Sequence, residues 1–146
     1  MKYCLGLFLL FSSIVAQASD VTVTKAWVAA TAPGQQVGGA YMDISSKAGA
    51  KLIAAQSPVS GKVMIHSMTM KNGVMQMRKM KSLDVPPGQT VSLSPQGMHL
   101  MLMHLKGPLV EGQRVPIKLT FIQGDKKSEI DVEAKVMTMV QHMEMN

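Results

Sequence analysis

What most limits the folds open to this chain is a period-two alternation of apolar and polar residues, broken by turn-forming residues every eight to twelve positions. Successive side chains of a strand point to opposite faces, so this alternation describes half-buried strands and the regular punctuation describes an antiparallel sandwich or barrel. Strands are expected over residues 21–28, 37–44, 51–56, 63–70, 74–80, 91–93, 99–105, 115–123 and 129–136. Between them lie Ala32-Pro33-Gly34, Asn72-Gly73, Pro86-Pro87-Gly88, Gly107-Pro108 and Gly124-Asp125, all residues that favour turns. No long amphipathic helix, internal repeat or linker competes with this pattern, so a single all-β domain is expected.

The sharpest local expectation concerns Asn72-Gly73, a pair that favours a two-residue type I′ turn. With those residues as the loop, Lys71 pairs with Val74, Met70 with Met75, Met68 with Met77 and His66 with Lys79. His66, Met68, Met70, Met75 and Met77 then share one face of a hairpin, with His66 and Met77 diagonal neighbours at roughly 7–8 Å. His99 and Met101, two apart on another strand, share a face by alternation.

The first eighteen residues read as an export signal: a basic start at Met1-Lys2, an apolar run over residues 5–15 and a small-residue cleavage site at Ala16-Gln17-Ala18. Cleavage after Ala18 leaves a domain over residues 19–136 and a Met/His-rich tail over residues 137–146. The apolar run is too short to span a bilayer, so no stable membrane insertion is expected. The only cysteine, Cys4, leaves with the signal, which excludes disulfides, thiol catalysis and thiolate metal ligands from the exported protein.

The formal charge is +6, or +5 without Lys2, but the basic residues are scattered and few aromatic side chains exist to stack bases. No nucleic-acid module is visible, and the balance suits solubility and attraction to acidic surfaces. Enzyme readings find no support, because the carboxylates are dispersed and no nucleophile motif is present. A monomer is expected.

Fifteen methionines cluster around the four histidines, with H-x-M repeated at His66/Met68 and His99/Met101. Any one Met is usually a core gap-filler, and Met42, Met64 and Met80 are expected to pack. Two thioethers beside two imidazoles form a soft, neutral donor set that favours Cu(I) over zinc, calcium or magnesium. The candidate metal ligands are therefore His66, Met77, His99 and Met101, with Met68, His142, Met143 and Met145 as possible secondary ligands. Cu(II) prefers imidazole and backbone nitrogen, so it is expected, if anywhere, at the tail, which also carries Met137 and Met139 and is expected to be mobile without metal. Trp27 is expected to be buried within the sandwich, the alternative being a cation–π cover over the ion, and His104 to point away from His99 and Met101 as a surface or structural residue.

These four residues, spaced H-x10-M-x21-H-x-M, resemble the signature of the periplasmic copper chaperones called PCu(A)C. The resemblance runs from about Lys25 to Phe121 and includes Ala26-Trp27, Gly39-Ala40-Tyr41, Asn72-Gly73-Val74-Met75 and His99-Leu100-Met101-Leu102-Met103. It implies a cupredoxin-like Greek-key β-sandwich or barrel holding one Cu(I) near its surface. It also implies a periplasmic location and delivery to the dinuclear copper centre of a haem-copper oxidase, beside an oxidase subunit or a Sco-type thiol protein. Two departures stand out: Ser67 follows the first ligand histidine where an acidic residue is common, and His104 stands where glycine is usual. A copper-resistance or storage binder, or an exported structural sandwich without metal, are the alternative readings of the same residues.

Overall fold

A computed structural model describes residues 20–145, so the signal segment, its cleavage site and Cys4 lie outside the described residues. Ten strands form one sheet: β1 (Val21–Ala29), β2 (Val37–Ser46), β3 (Ala50–Gln56), β4 (Ser60–Lys71), β5 (Val74–Met80), β6 (Leu83–Val85), β7 (Thr90–Ser92), β8 (His99–Leu105), β9 (Arg114–Gln123) and β10 (Lys126–Met137). A short helix, α1 (Met139–Glu144), follows. The sheet order is β5-β4-β8-β2-β1-β10-β9-β3-β6, with β7 paired to β2. Hairpins β4–β5 and β9–β10 are local, whereas longer connections insert β8 between β4 and β2 and lay β10 parallel to β1.

The core forms where alternate residues turn inward. Ile65, Leu100 and Leu102 from β4 and β8 meet Val28, Met42 and Ile44 from β1 and β2, and Val115, Ile117, Leu119 and Phe121 from β9. Each such side chain taken wholly out of water contributes about 1.5–3 kcal/mol, which makes this layer the main source of stability. Asp20 ties the entry to β1 to the sheet by accepting hydrogen bonds from the Ala48 amide, the Ser46 hydroxyl and the Gln123 side chain. Among the described residues no helix is long and apolar enough to cross a membrane.

The expected strands are present, with ends shifted by a few residues, and β6 is an addition. Its three residues bury Leu83 and Val85 against the core but are too few to show a period. Asn72 and Gly73 both have positive φ, 52° and 75°, the type I′ signature, and the hairpin register is the one their spacing demands.

Three places depart from simple alternation. At Lys25, φ is 52° and the β1–β2 register slips by one residue between Thr24 and Trp27. Val21 and Val23 face inward before this bulge, and Ala26 and Val28 after it, which turns Trp27 onto the outer face. Trp27 is buried as expected, at 2% exposure, but outside the main core, in a separate cluster with Tyr41 and Met137.

His104 also has positive φ, 55°, and is exposed, while Leu105 beyond it is buried. Strict alternation would aim His104 at the core; the left-handed backbone instead turns it to solvent. This is the conformation glycine adopts freely, and Gly61 opposite leaves the room, since a Cβ there would lie 3.2 Å from the His104 Cβ.

The tail is the third departure. Thr138 and Gln141 form a capping box that starts α1, Gln141 also donates to Glu111, and the His142 ring stacks on Trp27 at 4.2 Å between centroids. A short capped helix therefore follows β10 in the tail, packed on an aromatic platform that the bulge at Lys25 provides.

The left-handed conformation of His104 generates a stability prediction. Strain of about 1–2 kcal/mol is relieved in His104→Gly, offset by the extra freedom of an unfolded glycine. The net expectation is a gain of up to about 1 kcal/mol, read as a raised midpoint in chemical denaturation. A loss of stability would mean the imidazole makes contacts that outweigh the strain.

Candidate metal centre

Strands β5, β4 and β8 lie side by side and place the candidate ligands on one outer face. The β4–β8 register sets His66 directly opposite His99 and Met64 opposite Met101. The β4–β5 register sets Met68 opposite Met77 and His66 beside Lys79. The histidines thus occupy the middle, with Met77 towards the hairpin tip and Met101 on the other side. Their ring centroids are 5.8 Å apart in an edge-to-face arrangement.

The two imidazoles differ in what they bind within the protein. His99 is 5% exposed and its Nδ1 lies 3.1 Å from the Gly97 carbonyl. A carbonyl only accepts, so Nδ1 carries the proton, and the lone pair sits on Nε2. Neither nitrogen of His66 has a hydrogen-bond partner, although both atoms are buried. Burial holds the His66 imidazole below its ordinary 6.5, and the neighbouring His99 ring and Lys79 ammonium act in the same direction. A buried polar group without a partner is costly and rare, which sets this ring apart from His99, whose Nδ1 is satisfied by Gly97.

Tyr41 and Trp27 extend the face sideways. Tyr41 is 6.4 Å from His99 between centroids, and Trp27 is 4.6 Å from Tyr41 and stacked in turn on His142. The Tyr41 ring folds back over Gly39, where a Cβ would collide with its hydroxyl and ring. A row of rings, His66–His99–Tyr41–Trp27–His142, therefore crosses four strands to the terminal helix.

All four residues proposed from the H-x10-M-x21-H-x-M spacing lie on this face, Met77 at 51% exposure on the edge strand and Met101 half-buried beside β2. The secondary candidates separate: Met68 belongs to the hairpin, whereas His142, Met143 and Met145 belong to α1 and its C-cap. Of the methionines expected to pack, Met42 is in the core at 1% exposure and Met80 lies against it. Met64 does not; it projects beside His66 and opposite Met101. Its parity with His66 and Met68 carried that signal in the sequence. Tyr41 had no comparable signal, because its closeness to His99 depends on β2 lying beside β8.

Residues 21–140 match the family model LpqE-like, described as "Putative lipoprotein LpqE-like". The "Putative lipoprotein Lxx21020" of Leifsonia xyli subsp. xyli is 36% identical over 109 residues, 74% of this chain and 66% of that protein. The chain thus spans just under two thirds of the length of the curated relative it matches. The solution structure of CuI-DR1885 from Deinococcus radiodurans is 33% identical, over 86% of this chain and 83% of that one, with a TM-score of 0.60. The copper-bound PCuAC domain from PmoF2 covers 82% of this chain and 94% of its own at 20% identity, with a TM-score of 0.67, which shows the shared cupredoxin-like fold.

The displaced His66 titration predicts a pH effect on the metal-free protein. Below about 6.5 the unfolded state takes up the proton that the folded state resists, so stability is complete above that value and is lost as pH falls towards the depressed folded one. Wild type should therefore lose more thermal stability than His66→Gln on going from about pH 7.5 to about pH 5.5. Parallel losses would show that His66 titrates normally in the fold.

Proposed function

The chain belongs to the LpqE-like family, and from that membership we propose that it is an exported copper carrier holding one Cu(I) between His66 and His99. Met77 and Met101 supply thioethers from either side of the pair. The single observation that carries this reading is the His66 ring, half-buried with both nitrogens shielded from solvent, biased towards neutrality and lacking a hydrogen-bond partner on either nitrogen, set opposite a second imidazole whose tautomer leaves Nε2 open. Soft donors without a carboxylate suit a monovalent soft ion, and a relative of this fold has been solved with Cu(I) bound.

Such a site releases copper as readily as it takes it. Every donor is neutral, so an acceptor's thiolates displace the ligands one at a time without separating charge. Met77 on the exposed edge strand is the first to yield, and buried His99 the last. The destination we propose is the dinuclear copper centre of a haem-copper oxidase, directly or through a Sco-type thiol protein, in the periplasm after cleavage at Ala18. The terminal helix offers His142, Met143 and Met145 as a weaker locus for Cu(II), which requires the His142 ring to leave Trp27.

Competition titration with Cu(I) under reducing, anaerobic conditions tests the site. His66→Ala, His99→Ala, Met77→Leu and Met101→Leu should each weaken binding roughly tenfold or more, about 1.4 kcal/mol, while His104→Ala leaves it unchanged. Equal behaviour of all five variants would remove the site. In copper-limited cells, deletion should lower oxidase activity in a way that added copper restores. Normal respiration with sensitivity to excess copper would assign the protein to copper resistance or storage instead.

A further inference from the structure

A second concentration of soft donors sits at the tip of the β4–β5 hairpin. Met70 is 66% exposed and Met75 50%, and they face each other across the ladder, one row beyond Met68 and Met77. Directly opposed residues have Cβ atoms about 4.5–5.5 Å apart, and residues two apart on a strand lie about 6.6–6.8 Å apart. The outer face thus carries a ladder of sulfur leading from the tip, through Met68 and Met77, to the His66–His99 pair. Packing does not account for the outer rungs, since neither Met70 nor Met75 belongs to or lies against a hydrophobic cluster.

The charges around the tip select the kind of ion. Between Asp43 and Asp84 the chain contains no Asp or Glu, and the hairpin's charged residues near the tip are Lys71, Arg78 and Lys79. Calcium, magnesium and manganese sites are built on carboxylates, and zinc sites use thiolate, imidazole or carboxylate; the tip offers none of these groups. Thioethers remain, and they favour a soft monovalent ion.

We propose that Met68, Met70 and Met75 form a thioether-only entry site for Cu(I), from which the ion moves by ligand exchange through Met77 to His66 and His99. This rests on the copper-carrier reading above. In each exchange one sulfur–copper bond forms as another breaks, with no change in oxidation state and no proton transferred. The neighbouring ammonium and guanidinium groups weaken cation binding at the tip, so an ion held there is readily passed on. The imidazole pair is the deeper well, so affinity alone gives the ladder its direction.

The test uses the processed full-length protein with 13C-labelled methionine methyls and labelled histidines, given one equivalent of Cu(I) and then Ag(I) as a redox-inert probe. The comparison is Met70→Leu/Met75→Leu, which keeps the apolar volume and removes both sulfurs. In wild type the second equivalent should shift the methyls of Met68, Met70 and Met75. In the double variant that uptake should be lost, with first-equivalent affinity unchanged and the rate of loading from a Cu(I) chelate lowered at least about threefold, the kinetic share of a lost capture step. Wild-type methyls unmoved by the second equivalent, or uptake and loading unchanged in the leucine variant, would overturn the proposal and leave the tip as an apolar contact surface. Failure of the first equivalent to shift His66 and His99 would instead sink the copper-carrier reading, while the methyl response still decides the tip site.

Discussion

Everything on the outer face depends on the register between β4 and β8. The side-chain period of a strand is two, so a slip of one residue would send His66 into the core and bring Ile65 out. The slip is opposed from both sides of the sheet. Ile65, Leu100 and Leu102 are at most 4% exposed, and exchanging them for His66, His99 and Met101 would set two imidazoles in the apolar core in place of aliphatic chains. The Asn72-Gly73 turn fixes the other border of β4, so Met77 keeps its place beside the pair. Core packing thus places the candidate ligands, and His99 adds one hydrogen bond of its own to the Gly97 carbonyl.

Two left-handed residues shape what surrounds the site. The bulge at Lys25 turns Trp27 outward, and Trp27 gives Tyr41 and His142 a surface to pack on. Tyr41 in turn closes the β2 side of His99, using the space that Gly39 leaves empty. His104 turns away at the far end of β8, so the strand contributes His99 and Met101 to the face and withholds its second histidine. The Gly97 carbonyl gives buried His99 its tautomer, while Met77 on the edge strand remains open to solvent.

Much of this was legible in the sequence, and the limits have physical causes. Turn chemistry at Asn72-Gly73 specified the hairpin register residue by residue, because a two-residue loop admits one pairing. Alternation grouped His99 with Met101 for the same reason. That β8 lies beside β4, and that His66 therefore faces His99, is a long-range fact no local pattern encodes. The bulge at Lys25 escaped because a lysine in the left-handed region leaves no compositional mark, unlike the glycine that usually signals one. The short helix escaped because six residues carry too little periodicity, and its stability comes from the Thr138–Gln141 capping box and the Trp27 platform. Met64 was misread through composition, since methionine on a strand is most often packing.

The central claim is that the facing imidazoles of His66 and His99 hold copper, and ring-nitrogen NMR of the four histidines during Cu(I) addition tests it most directly. Upon one equivalent, a nitrogen of His66 and Nε2 of His99 should shift strongly, His99 Nδ1 should keep its proton to Gly97, and His104 should stay unmoved. One equivalent bound with the rings of His66 and His99 unchanged would contradict the account.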